Sequence, residues 1–142
     1  MAKDLHNLIH IHEWEVDEKR RKLGELLRLL DNLEAQSVAL EEELVREQRI
    51  AEQSPEEAGY LYCEYAEIVI ERRERIRQSI EQMEHSIAEA SEELRESYID
   101  LKKYEVAQEN RDRRVELERN RREQIELDEV GLQSFARKKS AR

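Results

Sequence analysis

The sequence has few of the residues that make turns and strands. Its 142 residues include three glycines and one proline, and only 5% are aromatic. β-Sandwiches and barrels need many turn formers and strands rich in β-branched and aromatic residues, so the composition excludes them. The glycines form no phosphate-binding loop, which excludes a doubly wound nucleotide-binding fold and nucleotide hydrolysis. Cys63 is the single cysteine, which excludes an internal disulfide and suits a reducing compartment.

Long apolar runs and an excess of positive charge are also missing. The opening residues, Met1 to Asp4, contain no hydrophobic segment, and charged residues occur in every short window, so we expect neither a signal peptide nor a membrane span. The net charge of −10 repels phosphate groups, so binding of nucleic acid or an anionic membrane by the whole surface is not expected. These features predict a cytoplasmic protein without direct membrane insertion.

A heptad repeat of apolar residues predicts a long first helix, from about residue 5 to 52. Its inner face is formed by two alternating sets of positions, which are conventionally called a and d. The a set is Ile9, Val16, Leu23, Leu30, Ser37, Leu44 and Ala51, and the d set is Leu5, His12, Lys19, Leu26, Leu33, Leu40 and Glu47.

The proline marks a break between two helices. Ser54 is a good helix cap, Pro55 fits a first helical position, and Glu57 completes a capping box. Two helices joined by so short a link must fold back antiparallel. The sequence therefore predicts a turn over residues 53–57, a second helix over about 58–137 and a tail over 138–142.

The second helix carries the same heptad repeat, but its inner positions become polar after Tyr104. With the turn near Pro55, we expect Leu23 beside Ile87 and Leu5 near Val106, so the first helix ends where the polar stretch begins. The predicted fold is all-α, a long two-helix antiparallel coiled-coil hairpin whose second helix is longer and projects from about residue 107. A hairpin has no interior cavity for a substrate, so we expect no enzyme and no cofactor.

Some polar residues invite a functional interpretation beside a structural one. His6, His10 and Glu13 share a helical face with spacing that could hold a divalent metal, but helix-face histidines are the simpler reading and no metal site is predicted. Arg73 is expected to face Ser37 within the hairpin.

An inner lysine and a cluster of tyrosines also have both a structural and a functional interpretation. Lys19 is expected near Glu92 and Glu93. These inner polar residues either pack their stems while the charges reach water or fix the register. A cluster of tyrosines beside the turn either closes the hairpin end or docks a protein partner, and it comprises Tyr60, Tyr62 and Tyr65.

The last part of the chain differs in charge from the rest. Residues 107–142 contain ten Lys or Arg and eight Asp or Glu, a net charge of +2, which leaves −12 for residues 1–106. Apolar residues such as Val115 and Leu117 are interspersed among the arginines. A charged helix exposed to water is one interpretation, and insertion of the helix into a partner is the other.

The C-terminal run resembles a known family. Residues 121–129 read Arg-Arg-Glu-Gln-Ile-Glu-Leu-Asp-Glu, and Leu132 and Phe135 follow. With the opening Leu5-x-x-Leu8 and the two unequal helices, this run resembles FliJ, the small coiled-coil component of the flagellar type III export apparatus. Injectisome stalk proteins of the YscO type are the next resemblance. Gly131 departs from the family pattern, where a helix former such as alanine is expected.

The resemblance implies a non-enzymatic central stalk that binds the hexameric export ATPase ring and promotes its assembly or turnover. It also implies contacts with the cytoplasmic domain of the export gate and with export chaperones, at the cytoplasmic face of the inner membrane. From their place beside the turn, and not from the resemblance, we infer that Tyr60, Tyr62 and Tyr65 face the gate. The residues expected to enter the ring are Leu5, Leu8, His12, Val16, Arg121, Arg122, Ile125, Leu127, Asp128, Glu129, Leu132 and Phe135.

Two other functions remain open at this point. One is a generic coiled-coil adaptor, or a homodimer zipped through the projecting helices, with no ATPase partner. The other is nucleic-acid binding through the arginine-rich helix, which would depend steeply on salt.

Overall fold

Two helices make up almost all of the chain. The computed structural model describes residues 5–53 and 55–141, without the side chains of residues 55–60. Helix α1 spans His6–Gln53 and helix α2 spans Pro55–Ser140, so the predicted all-α fold with a longer second helix is confirmed. The capping role predicted for Ser54 and Glu57 lies outside the described residues.

Helix α2 is longer at both ends than the sequence pattern predicts. It begins at Pro55 rather than residue 58 because the fixed φ of proline suits a first helical turn. It continues to Ser140 rather than 137, and the last turn contains Arg137, Lys138 and Lys139. Cations there interact favourably with the negative end of the helix dipole.

The heptad pattern correctly identifies the inner faces of both helices. Every predicted a and d residue of α1 is buried or half-buried, and Val16 and Leu40 are the most buried. The same holds for α2 from Tyr62 to Arg111, with Arg73 as the exception. The period of seven therefore predicts the packing of the paired helices.

The chain divides into two compact units, and the division falls within both helices. The first unit contains residues 1–13 and 99–142, and the second contains residues 14–98. In the second unit, α1 and α2 pack antiparallel around a thin core in which Val69 and Ala90 are 2% and 3% exposed. The predicted pairing of Lys19 with Glu93 is present, with 3.3 Å between Nζ and Oε2.

Arg73 points outward instead of facing Ser37. Its side chain is 47% exposed. Its Nε and Nη2 atoms donate hydrogen bonds to the Glu41 carboxylate at 2.6 and 3.0 Å. Burying a guanidinium without a partner is costly, so the side chain lies at the solvent edge and forms a two-point ion pair.

In the first unit, the N-terminal part of α1 lies against the middle of α2. The Leu5 amide donates a hydrogen bond to Gln108 Oε1 at 3.1 Å, two residues beyond the predicted neighbour Val106. The rings of His12 and Tyr104 stack with their centroids 4.6 Å apart. Leu101 is 7% exposed.

The remainder of α2 has no buried side chain. Every residue from 112 to 141 is exposed, and we call this segment the overhang. It begins about five residues later than predicted, because residues 107, 108 and 111 are still half-buried. The helix continues through Gly131, whose φ is not positive. Within the described residues, no helix is long and apolar enough to span a membrane.

Candidate partner-binding surface

The overhang exposes many large apolar side chains. Leu132, Phe135 and Leu127 are 69%, 67% and 66% exposed, and four others are also exposed: Val115, Leu117, Ile125 and Val130. Exposed apolar side chains that cluster in one part of the surface are a feature of protein-binding sites. This segment is therefore the leading candidate for a partner-binding surface.

The apolar side chains of the overhang lie on more than one side of the helix. Ile125, Leu132 and Phe135 follow a spacing of seven and three residues, so they share a stripe. Leu127 lies two residues after Ile125, which places it about 200° around the helix axis. A partner that covered only one face would leave part of this apolar surface in water.

Polar and charged side chains of the overhang interact along the helix. Arg122 Nε lies 3.5 Å from Glu118 Oε1, and Gln124 donates to Asp128 Oδ1 at 3.1 Å, both at i, i+4 spacing. Exposed pairs of this kind contribute little to stability. Of the predicted ring-binding residues here, Arg121, Arg122, Asp128 and Glu129 are therefore available to a partner along with the apolar residues.

The predicted N-terminal contact residues have different environments. Leu8 is 41% exposed. Leu5 and His12 are half-buried against α2, and Val16 is 3% exposed. The structure therefore brings Leu5 and His12 together with Gln108 and Tyr104, not with residues 121–135. Leu8 is the only one of the four that is exposed.

His6 and His10 are exposed near the start of α1. His10 Nδ1 lies 3.4 Å from Glu13 Oε2. Among the described residues, no group of three or more His, Cys, Asp or Glu side chains could hold a metal ion.

The tyrosine cluster is only partly exposed. Tyr62 and Tyr65 are half-buried, and the side chain of Tyr60 lies outside the described residues. The two tyrosines help to form an apolar groove across both helices, together with Glu47, Ile50, Ala51 and Leu61. Ile50 and Leu61 are 56% and 65% exposed. They are apolar at outer heptad positions, a signal that would have identified them in the sequence.

The side chain of Tyr65 packs beside carboxylates of α1. Its hydroxyl oxygen is buried. Burial raises the pKa of Tyr65 above its ordinary value, and the neighbouring carboxylates of Glu43 and Glu47 raise it further. A side chain held in this way helps to close the hairpin and offers a partner only its outer edge.

Comparison with known proteins identifies the family. The family model described as flagellar FliJ protein matches residues 1–140. The chain belongs to the FliJ family. It is therefore a component of the flagellar protein export apparatus, in a family of helical, non-enzymatic proteins. Searches of curated proteins and of solved structures found no match.

This FliJ-family chain also has a groove that the sequence interpretation missed. It crosses both helices of the second unit and contains no charged residue, although 42% of the chain is charged. We call it the neutral groove, and its residues are Leu26, Leu29, Asn32, Leu33, Gln36, Ser79, Gln82, Met83 and Ser86. The signal in the sequence is a set of uncharged residues at inner heptad positions, such as Leu26 and Leu33, and at the positions that flank them.

Proposed function

We propose that the chain is the central stalk of the flagellar export ATPase, and that the overhang enters the hexameric ring. The observation that carries the proposal is the placement of exposed apolar residues around the helix, with Ile125 and Leu127 on different sides. A ring of subunits surrounds a helix and can contact all of these sides, whereas a single groove cannot. Family membership supports the same partner.

Electrostatics would assist insertion into the ring. Arg121 and Arg122 are exposed, and the part of the chain that contains them has a net charge of +2 within an acidic protein. Carboxylates in the ring channel would attract these guanidinium groups and guide the helix inward. A single asymmetric helix presents different contacts to six subunits, so it would stabilise different subunit conformations and promote turnover.

The groove beside the turn is the proposed contact with the cytoplasmic domain of the export gate. Ile50 and Leu61 supply exposed apolar area, and Tyr62 and Tyr65 supply aromatic edges of the kind that protein interfaces favour. Through the ring, the gate and the export chaperones, the protein would act at the cytoplasmic face of the inner membrane. Leu8 is a smaller proposed contact near the ring.

The test is the ATP hydrolysis rate of the same organism's flagellar export ATPase, with and without this protein. Wild type should stimulate hydrolysis, and a variant with Ile125→Asp and Leu127→Asp should lose most of the stimulation. The matched control is Ile70→Asp, at a position that is 62% exposed on the paired part of α2. The control should stimulate as wild type does.

Other outcomes lead to different conclusions. If a truncation ending at Tyr104 still stimulates fully, the ring contact lies on the hairpin and the overhang proposal is wrong. If the Arg121→Glu, Arg122→Glu variant stimulates fully, the electrostatic part is wrong. If wild type neither stimulates nor co-elutes with the ATPase, the generic adaptor is the better interpretation.

A further inference from the structure

The neutral groove has charges of opposite sign beyond its two ends. Arg75 precedes Ser79 by four residues, and Glu89 follows Ser86 by three, so both lie on the same flank of α2 as the groove. Both are exposed. Along this flank the order is therefore basic, uncharged and acidic.

One stripe of the overhang has the reverse order. Asp128, Leu132, Phe135 and Lys139 are spaced by four, three and four residues, so they lie on one side of the helix. Residues 130–136 contain no charged side chain. Along this stripe the order is acidic, apolar and basic, and its two apolar side chains are more than two-thirds exposed.

We propose that the neutral groove binds the overhang of a second copy of this chain. In this arrangement Leu132 and Phe135 pack on Leu29 and Met83, which line the groove. The overhang becomes a third helix beside the two that form the groove. The contact removes apolar side chains from water on the overhang and on Leu29, which is 49% exposed.

The charges at the two ends set the direction of the docked helix. If the docked overhang runs parallel to α2, Asp128 meets Arg75 and Lys139 meets Glu89. The opposite direction places like charges together. The distance along the helix is about 16 Å from Asp128 to Lys139 and about 21 Å from Arg75 to Glu89, and long lysine and arginine side chains bridge this difference.

Other charged groups near the groove are compatible with this direction. Arg72 adds positive charge at the basic end, where Glu43 on α1 opposes it. At the acidic end, Glu93 is already paired with Lys19 and Lys22, at 3.3 and 3.8 Å. Glu25 on α1 adds negative charge there.

At the acidic end, Glu89 itself has a neighbour. His85 Nε2 lies 3.1 Å from its Oε1, and the two side chains are 77% and 67% exposed. An exposed carboxylate accepts a further contact from Lys139 without losing this one. The acidic end therefore keeps an available carboxylate.

The contact joins two different surfaces, so each copy can insert its overhang into one neighbour while its groove binds the overhang of another. It also covers residues that we propose for the ATPase ring, so a ring and a second copy would compete for one overhang. The self-contact itself does not depend on the ring proposal, because its test uses the isolated protein.

The experiment is sedimentation equilibrium of the full chain from low to high micromolar concentration at low salt. Wild type should show an average mass that rises with concentration. Ser86→Arg in the groove and Phe135→Glu on the stripe should each weaken the association about tenfold or more, since each puts an unpaired charge into the contact. Matched controls are Ser91→Arg and Leu127→Glu, at exposed positions off the groove and off the stripe, and they should associate as wild type does.

A charge exchange tests the direction. Arg75→Asp and Asp128→Arg should each weaken association, and the two changes together in one chain should restore it. Far-ultraviolet circular dichroism verifies that each variant is as helical as wild type. The proposal is overturned if wild type stays monomeric throughout, if the groove and stripe variants associate like their controls, or if the exchanged pair fails to restore association.

Discussion

The paired region of α2 and the overhang are parts of one continuous helix with opposite surroundings. In residues 62–98 the apolar a and d residues lie against α1, and Val69 is 2% exposed. In the overhang the same heptad positions contain both apolar residues such as Val115 and charged ones such as Arg122, and all are exposed. The comparison shows that backbone hydrogen bonding alone does not distinguish the two regions, whereas side-chain packing does.

The largest expected effect separates the regions by stability. Val69→Asp buries an unpaired carboxylate, so we expect the free energy of unfolding to fall by about 3 kcal/mol or more. Leu127→Asp places the same carboxylate in water and should change it by less than about 0.5 kcal/mol. Urea denaturation followed by circular dichroism measures both. Equal losses in the two variants would mean that the overhang is packed like the paired region.

Glycine replacements sharpen the comparison within each helix. An added Cβ meets no atom within 4 Å at either Gly24 or Gly131. Alanine should therefore stabilise the local helix by about 1 kcal/mol at each site, through its better helix propensity. Gly24→Ala should raise the urea midpoint of the whole hairpin. Gly131→Ala should leave that midpoint unchanged and slow amide exchange only in the overhang. A raised midpoint would mean that the overhang unfolds together with the paired region.

A smaller effect is expected at the exposed ion pair of Arg73 and Glu41. Such pairs contribute about 0.2–1 kcal/mol. Glu41→Gln should lower the free energy of unfolding by that amount. Arg73→Leu also removes the ion pair, but its free energy of unfolding should be at least that of wild type, because leucine at an inner heptad position can pack against α1. A large loss in the leucine variant would show that the guanidinium fixes the register of the helices.

The smallest effect concerns pH at the hairpin end. Because the pKa of Tyr65 is raised in the folded protein, its stabilising contribution is complete below the ordinary value of 10.0 and is lost as pH rises through the folded pKa. Tyr65→Phe should therefore show a shallower fall of stability above about pH 10. Tyr98→Phe removes an exposed phenol and is the control. If the free energy of unfolding falls equally steeply with pH in both variants, the effect does not come from the raised pKa of Tyr65.

The sequence predicts the paired helices well because a heptad repeat has one physical meaning. The positions from Ile9 to Ala51 on α1 lie inward as the repeat requires. The heptad repeat gives the wrong environment for Arg73, because a long side chain at an inner position can bend outward to reach Glu41. Spacing determines which face points inward, but not how far a flexible charged side chain departs from it.

The candidate sites were less predictable. The C-terminal run indicated the family, and the overhang residues are exposed as a partner contact needs. The resemblance places Val16 at the same surface, but its heptad position makes it part of the core. The neutral groove was missed because it is built from residues of two helices. Only the register between the helices brings Leu29 and Met83 together.

The absence of buried side chains from residues 112–141 has a consequence for genetics. A substitution in the paired region can abolish motility by unfolding the protein, so a loss of motility there does not identify a contact. In the overhang no buried side chain is lost when a residue is replaced. Apart from prolines, which break the helix itself, substitutions in this segment that abolish motility without lowering protein abundance would trace the partner's footprint at the level of single residues.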